Sequence, residues 1–211
     1  LALSFIELNS FFISWVGSKS FLIFFISEIE SLTSLRSFSS AISFKDFLNS
    51  RYNKTSATKY AEVFDGALNA IESIPYPTIS LIKGICFGGG CELAMTTDVR
   101  IASDTSTFAI PVSKLGILIG YYEMNRLVQI VGKGAASYLL YSGKRLNSKD
   151  ALRIGLINEI KPINIIENYA YSLAKDISKT APLSHKRHKQ IMKIALDNPS
   201  LSNLSAKEKS L

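Results

Sequence analysis

Glu92 stands two residues beyond three consecutive glycines, Gly88, Gly89 and Gly90, within the run GICFGGGCELAMTTDVRIAS from Gly84 to Ser103. The segment before the glycines is β-branched and short, and the segment after them has helical composition, so the glycines form a strand-to-helix turn. The first amides of a helix have no acceptors within it, and the helix dipole puts partial positive charge at that end. Glycine lets a ligand atom approach the backbone closely and permits positive φ. Together these features suit an anion or a developing oxyanion. A carboxylate in the first turn, three residues after Gly89, is placed to move a proton on the carbon next to a polarised carbonyl. On the glycines alone, a turn that lets helix and strand pack closely is the better reading, and a glutamate in a first turn is common because the dipole favours it. The coincidence of the two points to chemistry.

Two other glycine devices are excluded. No Lys-Ser or Lys-Thr follows the glycines, so this is not a phosphate loop of the Walker type. The dinucleotide spacing also fails, because Leu93 occupies the position of its last glycine.

The surrounding elements follow from periodicity. Tyr60, Phe64, Leu68 and Ile71 fall at helical spacing opposite Lys59, Glu62, Asp65 and Asn69, and the prolines at 75 and 77 require that helix to stop near Ile74. TISLIKGIC, Thr78 to Cys86, reads as one buried strand, followed by a helix over CELAMTT and a strand around VRIA. EMNRLVQIV and AASYLLY read as helices ended by GKG and SG. Asn147 or Ser148 caps a short helix, and LINEI is a strand closed by Lys161–Pro162. A long helix over IIENYAYSLAKDIS and a last one carrying HKRHK complete the chain. Alternating strand and helix at these lengths predict one α/β domain over residues 1–211. Ser, Phe, Ile and Leu dominate residues 1–43 and make that end unreliable to read; 44–162 carries the strand–helix core and 163–211 a partial C-terminal helical region.

The chain has 211 residues and a formal charge of +7, which favours anionic partners. HKRHK, His185 to Lys189, is most simply a solvated helix face, and without an aromatic stacking platform it does not argue for nucleic acid. Two cysteines with no framework of pairs point to a reducing, cytoplasmic compartment. Cys86 and Cys91 read as small buried apolar residues, and His185 with His188 lies outside zinc-finger spacing, so no metal site is expected. Apolar runs such as SFLIFFIS are too short to span a bilayer, so no membrane partner is expected.

Taken together, PTISLIKGICFGGGCELAMTTDVRIASDTSTFAIP, KLGILIG, GKRLNSKDALRIGLINEI and APLSHKRHK resemble the crotonase family of enoyl-CoA hydratases and isomerases. The resemblance holds from about Tyr60 to Lys193. It implies a crotonase-like superhelix of stacked ββα turns with C-terminal helices, and a homo-oligomer, trimer or hexamer. It also implies an acyl-CoA thioester substrate, with coenzyme A part of the substrate and no separate cofactor. Two backbone N–H groups would hold the thioester oxygen. Gly89 matches the second donor and, within FSSAISFK, Ile42 matches the first. Gly88, Gly90, Lys45 and Val112 would lie against the substrate, and Glu92 matches the first of two family glutamates.

The chain departs from the family at several points. The second glutamate is Val112, which cannot move a proton, so slow hydration at most is expected from Glu92 alone. Glu123 is a conceivable substitute, but it replaces a small residue of the family's glycine-rich turn. In the other oxyanion loop the family's glycine, alanine and aspartate are Ala41, Ile42 and Ser43. The family's opening hairpin is expected to be missing, as are the C-terminal helices that build the trimer. These departures keep a second reading open, that of a catalytically impaired acyl-CoA-binding or oligomerising relative.

Overall fold

The computed structural model of the chain describes residues 5–8, 11–15, 22–27 and 53–209. Six strands form the larger sheet. They are β1 (Phe5–Leu8), β2 (Phe11–Trp15), β3 (Leu22–Ser27), β4 (Thr78–Lys83), β6 (Val99–Ser103) and β9 (Glu159–Lys161), in that spatial order. The β1–β2 and β2–β3 pairs are antiparallel and the rest are parallel. A smaller sheet has the order β5 (Ile85–Phe87), β7 (Thr107–Ala109), β8 (Leu146–Asn147).

The chain opens with an antiparallel pair at the edge of the larger sheet. Leu8 is in register with Phe11, leaving only Asn9 and Ser10 between the strands, the spacing of a two-residue connection. The compositional bias of this end hid that signal.

Thr78 to Cys86 is also corrected, from one strand to two. Gly84 has φ +94°, a left-handed conformation that only glycine adopts without strain, and the chain leaves the larger sheet there for the smaller one. The same excursion then repeats. β4–β5 is followed by helix α2 (Gly89–Met95), and β6–β7 by the short helix α3 (Val112–Leu115). β6 lies parallel to β4 in one sheet, and β7 lies parallel to β5 in the other. These are two stacked ββα turns.

Helix α1 (Lys54–Glu72) begins at Asn53, whose side chain accepts from the Ser56 N–H at 2.9 Å. Leu68 is buried, with Phe64 and Ile71 packed beside it on the same core. Helix α4 (Tyr121–Ser142) bends at Gly132, which has φ +74° and ψ 160°, so the two expected helices meet at a kink. The short α5 (Ser148–Arg153) is capped by Asn147, which accepts from the Asp150 N–H at 2.9 Å. Helices α6 (Ile166–Ser178), α7 (Pro182–Asp197) and α8 (Ala206–Lys209) follow.

β4 is buried on both faces, as a parallel strand covered on two sides should be. Its Ile79 and Leu81 pack with Ile101 against Ile166, Ala170 and Ala174 of α6. Ile82 faces the other way, into a core shared with Cys86, Cys91, Phe108 and Leu127. That second core carries the glycine turn, so the turn rests on close-packed apolar side chains.

Candidate active site

The glycine turn is locked to the small sheet. The Gly88 N–H donates to the Ala109 carbonyl at 2.8 Å, and the Glu92 N–H donates to the Gly88 carbonyl at 3.0 Å. Gly88 has φ +49° and ψ −119°. Gly89 opens α2, so its N–H lacks an acceptor within that helix. Gly90 is buried behind it. Cys91 Sγ donates to the Cys86 carbonyl at 2.7 Å and ties the first turn of α2 to β5. Both cysteines are buried free thiols. The side-chain hydrogen bond between the two thiols, reinforced by burial, holds the Cys86 thiol well above its ordinary range.

A cavity of about 460 Å³ opens beside this turn. α1 supplies Tyr60 and Phe64 to its wall, the turn supplies Phe87, Gly88, Gly89 and Glu92, and α3 supplies Val112. The connection from α3 to α4 closes it with Ile117, Leu118, Ile119 and Gly120, and Glu123 enters from α4. The wall is mostly apolar, with carboxylates at Asp65, Glu92 and Glu123, the arrangement common in small-molecule sites. At its edge Leu118 is 92% exposed. The Arg145 guanidinium stacks on the Phe87 ring at 5.0 Å, braced by a cation–π contact.

Of the residues expected at the site, Gly88, Gly89, Glu92 and Val112 line this one cavity. Gly90 packs beneath the turn. Ile42 and Lys45 lie outside the described residues. Val112 opens α3 and packs partly against the core, so the wall at that point is apolar.

Glu123, the conceivable substitute, lines the same cavity. It is 4% exposed, and its Oε1 accepts from Arg126 Nη1 at 3.1 Å. Arg126 also donates to both carboxylate oxygens of Glu72, at 3.2 and 2.7 Å, and to Asn69 Oδ1 at 2.8 Å. Burial pulls the guanidinium pKa down. The bonds and charges of Glu72 and Glu123 outweigh that and leave it raised. The spacing Glu123–Arg126 was a visible signal, because residues three apart are neighbours on a helix.

A larger groove, of about 630 Å³, runs between α7 and the ends of α1 and α2. On its rim Lys189 is paired with Asp98 at 2.7 Å and Lys193 with Asp197 at 3.1 Å. These two lysines thus already have carboxylate partners. Among the described residues no cluster of three or more His, Cys, Asp or Glu could hold a metal, and no helix is long and apolar enough to cross a membrane.

The enoyl-CoA hydratase/isomerase family model matches residues 31–211. A short-chain-enoyl-CoA hydratase of Clostridium acetobutylicum is 34% identical over 138 residues, covering 65% of this chain and 53% of the relative. The chain thus spans about half the length of that curated relative. The fold is similar to that of an enoyl-CoA hydratase/carnithine racemase from Magnetospirillum magneticum, with TM-score 0.82 and 22% identity over 97% of this chain and 86% of that one. It is similar also to an enoyl-CoA hydratase from Bacillus anthracis, with TM-score 0.73 and 19% identity over 90% and 84% of the two chains. The architecture is therefore the crotonase fold, and the chain belongs to the enoyl-CoA hydratase/isomerase family.

Proposed function

We propose that the protein is an acyl-CoA enzyme of the enoyl-CoA hydratase/isomerase type, which stabilises a thioester enolate and uses Glu92 as its acid/base. The observation that carries this reading is that Glu92 and Gly89 line one apolar-walled cavity. In it the Gly89 N–H would receive the thioester oxygen, together with the amide of Ile42 by family resemblance. As that oxygen gains negative charge, the preorganised donor and the α2 dipole lower the energy of the enolate. Glu92 adds or removes the proton at the α-carbon, and the apolar wall accommodates the acyl chain. The positive net charge suits the phosphates of coenzyme A.

The test is turnover of a short 2-enoyl-CoA, followed as loss of the conjugated thioester absorbance, alongside calorimetric binding. Glu92→Gln should abolish turnover and leave binding within about threefold; unchanged turnover removes Glu92 from the mechanism. Val112 favours a second reading, an acyl-CoA-binding relative without turnover, because an apolar side chain fills the family's second glutamate position. Binding by the unaltered protein with no chemistry would select it.

A further inference from the structure

We infer that Glu123 is a second catalytic carboxylate of this cavity, the group that accepts a proton from the water attacking a 2-enoyl thioester. The inference rests on the acyl-thioester reading of the cavity given above. Water addition needs one group to activate the water and another to serve the α-carbon. Val112 supplies neither function, but Glu123 reaches the same cavity from the next element, the first turn of α4.

Its surroundings separate this role from a merely structural ion pair. Glu72 already balances the charge of Arg126 through two hydrogen bonds and Asn69 adds a third, so a second carboxylate is not needed as a counter-ion, and Nη1 takes Glu123 as its acceptor. Glu123 nonetheless sits there, 4% exposed, with Oε1 on Arg126. The other oxygen, Oε2, has no hydrogen bond to a described residue. It lies against Gly120, itself a cavity residue, where an added Cβ would collide with it. Gly120 therefore opens the space that the carboxylate occupies. A buried carboxylate oxygen without a partner is costly unless water or a ligand completes it. Arg126 orients the group from behind and leaves one oxygen available to a water.

The step balances without a co-reactant. The water oxygen bonds to the β-carbon as its proton passes to Glu123. The C=C electron pair shifts to the α-carbon and thioester oxygen as an enolate. The α-carbon then takes a proton from Glu92 in its acid form, and the proton on Glu123 returns to Glu92 through solvent.

Two assays on the full chain test this: hydration of crotonyl-CoA, and exchange of the α-protons of butyryl-CoA in D₂O. Glu92→Gln should remove both. Glu123→Gln should lower kcat for hydration by at least about 100-fold, with KM and exchange each changing less than about threefold. Glu123→Asp keeps a charge for Arg126 but withdraws it by one methylene, so the hydration-to-exchange ratio should fall at least tenfold even if the Gln variant does not fold. An unchanged ratio in the folded Gln or Asp variant overturns the role of Glu123, as does a wild-type protein that exchanges but does not hydrate. Absence of Glu92-dependent exchange in the wild type instead overturns the acyl-thioester reading itself, and this inference with it.

Discussion

The N–H of Gly88 and the carbonyl of Ala109 are joined at 2.8 Å, so the turn before α2 is an extension of the small sheet. Gly88 holds φ +49° and ψ −119° with no heavy atom within 4 Å of where a Cβ would stand. Gly88→Ala therefore meets conformational strain and no collision. The expected loss is about 1–3 kcal/mol of stability, read as a lower urea midpoint with unchanged slope. If the turn relaxes instead, the Gly89 amide and Glu92 shift together, and acyl-CoA turnover should fall more than the midpoint implies.

The buried Arg126 network sets a second expectation. Removing Arg126 leaves Glu123, 4% exposed, without its cation, and breaking one partner of a buried pair costs about 3–5 kcal/mol. Glu72 is more accessible, with its side chain 39% exposed, and Arg126 retains Glu123 without it. Glu72→Gln should therefore cost about 1 kcal/mol or less. Denaturation of Arg126→Met beside Glu72→Gln checks the ordering. Equal losses would mean that the pairing between α1 and α4, and not burial of Glu123, sets the energetics.

How much of this was legible beforehand depended on the range of the interactions. Glu92 and the glycines were readable because helix start signals are local, and the cap at Asn147, read as Asn147 or Ser148, follows the same logic, whereas the Asn53 cap emerged only in the structure. The faces of α1 were readable from its 3.6-residue period. The break at Gly84 was not, because a single glycine in an apolar run is compatible with continuing the strand. β7 and β8 are three and two residues long. Such strands exist only because a neighbour pairs with them, and local propensity says nothing of the neighbour. Glu123 was legible as a conceivable substitute, but its setting was not. Its contact with Arg126 spans three residues, but Arg126 reaches Glu72 and Asn69 across 54 and 57 positions.

The thiols give a chemical probe of the same core. Cys86 and Cys91 are the chain's two cysteines, both buried beneath the glycine turn. The Cys86 thiol is held above its ordinary range by the side-chain hydrogen bond between the two thiols and by burial. Both sulfurs are buried and the reactive form is the thiolate, so a disulfide reagent should reach neither in the native state at neutral pH, and both should react on unfolding. The sign of the linkage follows from the raised folded pKa. The contribution is fully present below the unfolded value, about 8.5, and is lost as pH rises from there through the folded one. Stability measured from pH 7 to 10 should decline, and Cys86→Ser should flatten that decline. Rapid labelling of the native protein at pH 7 would contradict the burial.

α7 is lightly tied to the rest. It contributes no buried residue. Lys189 anchors it, donating to Asp98 Oδ2 at 2.7 Å and to the Tyr76 carbonyl at 3.2 Å. Asp98 in turn accepts from the Thr78 N–H and hydroxyl at 2.7 and 2.8 Å, so one carboxylate joins the starts of β4 and β6 to α7. Lys189→Ala should therefore release α7 and leave the sheet in place. Hydrogen exchange across residues 182–197 should accelerate at least tenfold, while amides of β4 and β6 keep their protection, since local openings need not involve the global transition. Asp98→Ala should expose both the helix and the strand starts, because it removes the acceptor that Thr78 and Lys189 share. Equal effects of the two substitutions on β4 would mean that α7 and the sheet open as one unit.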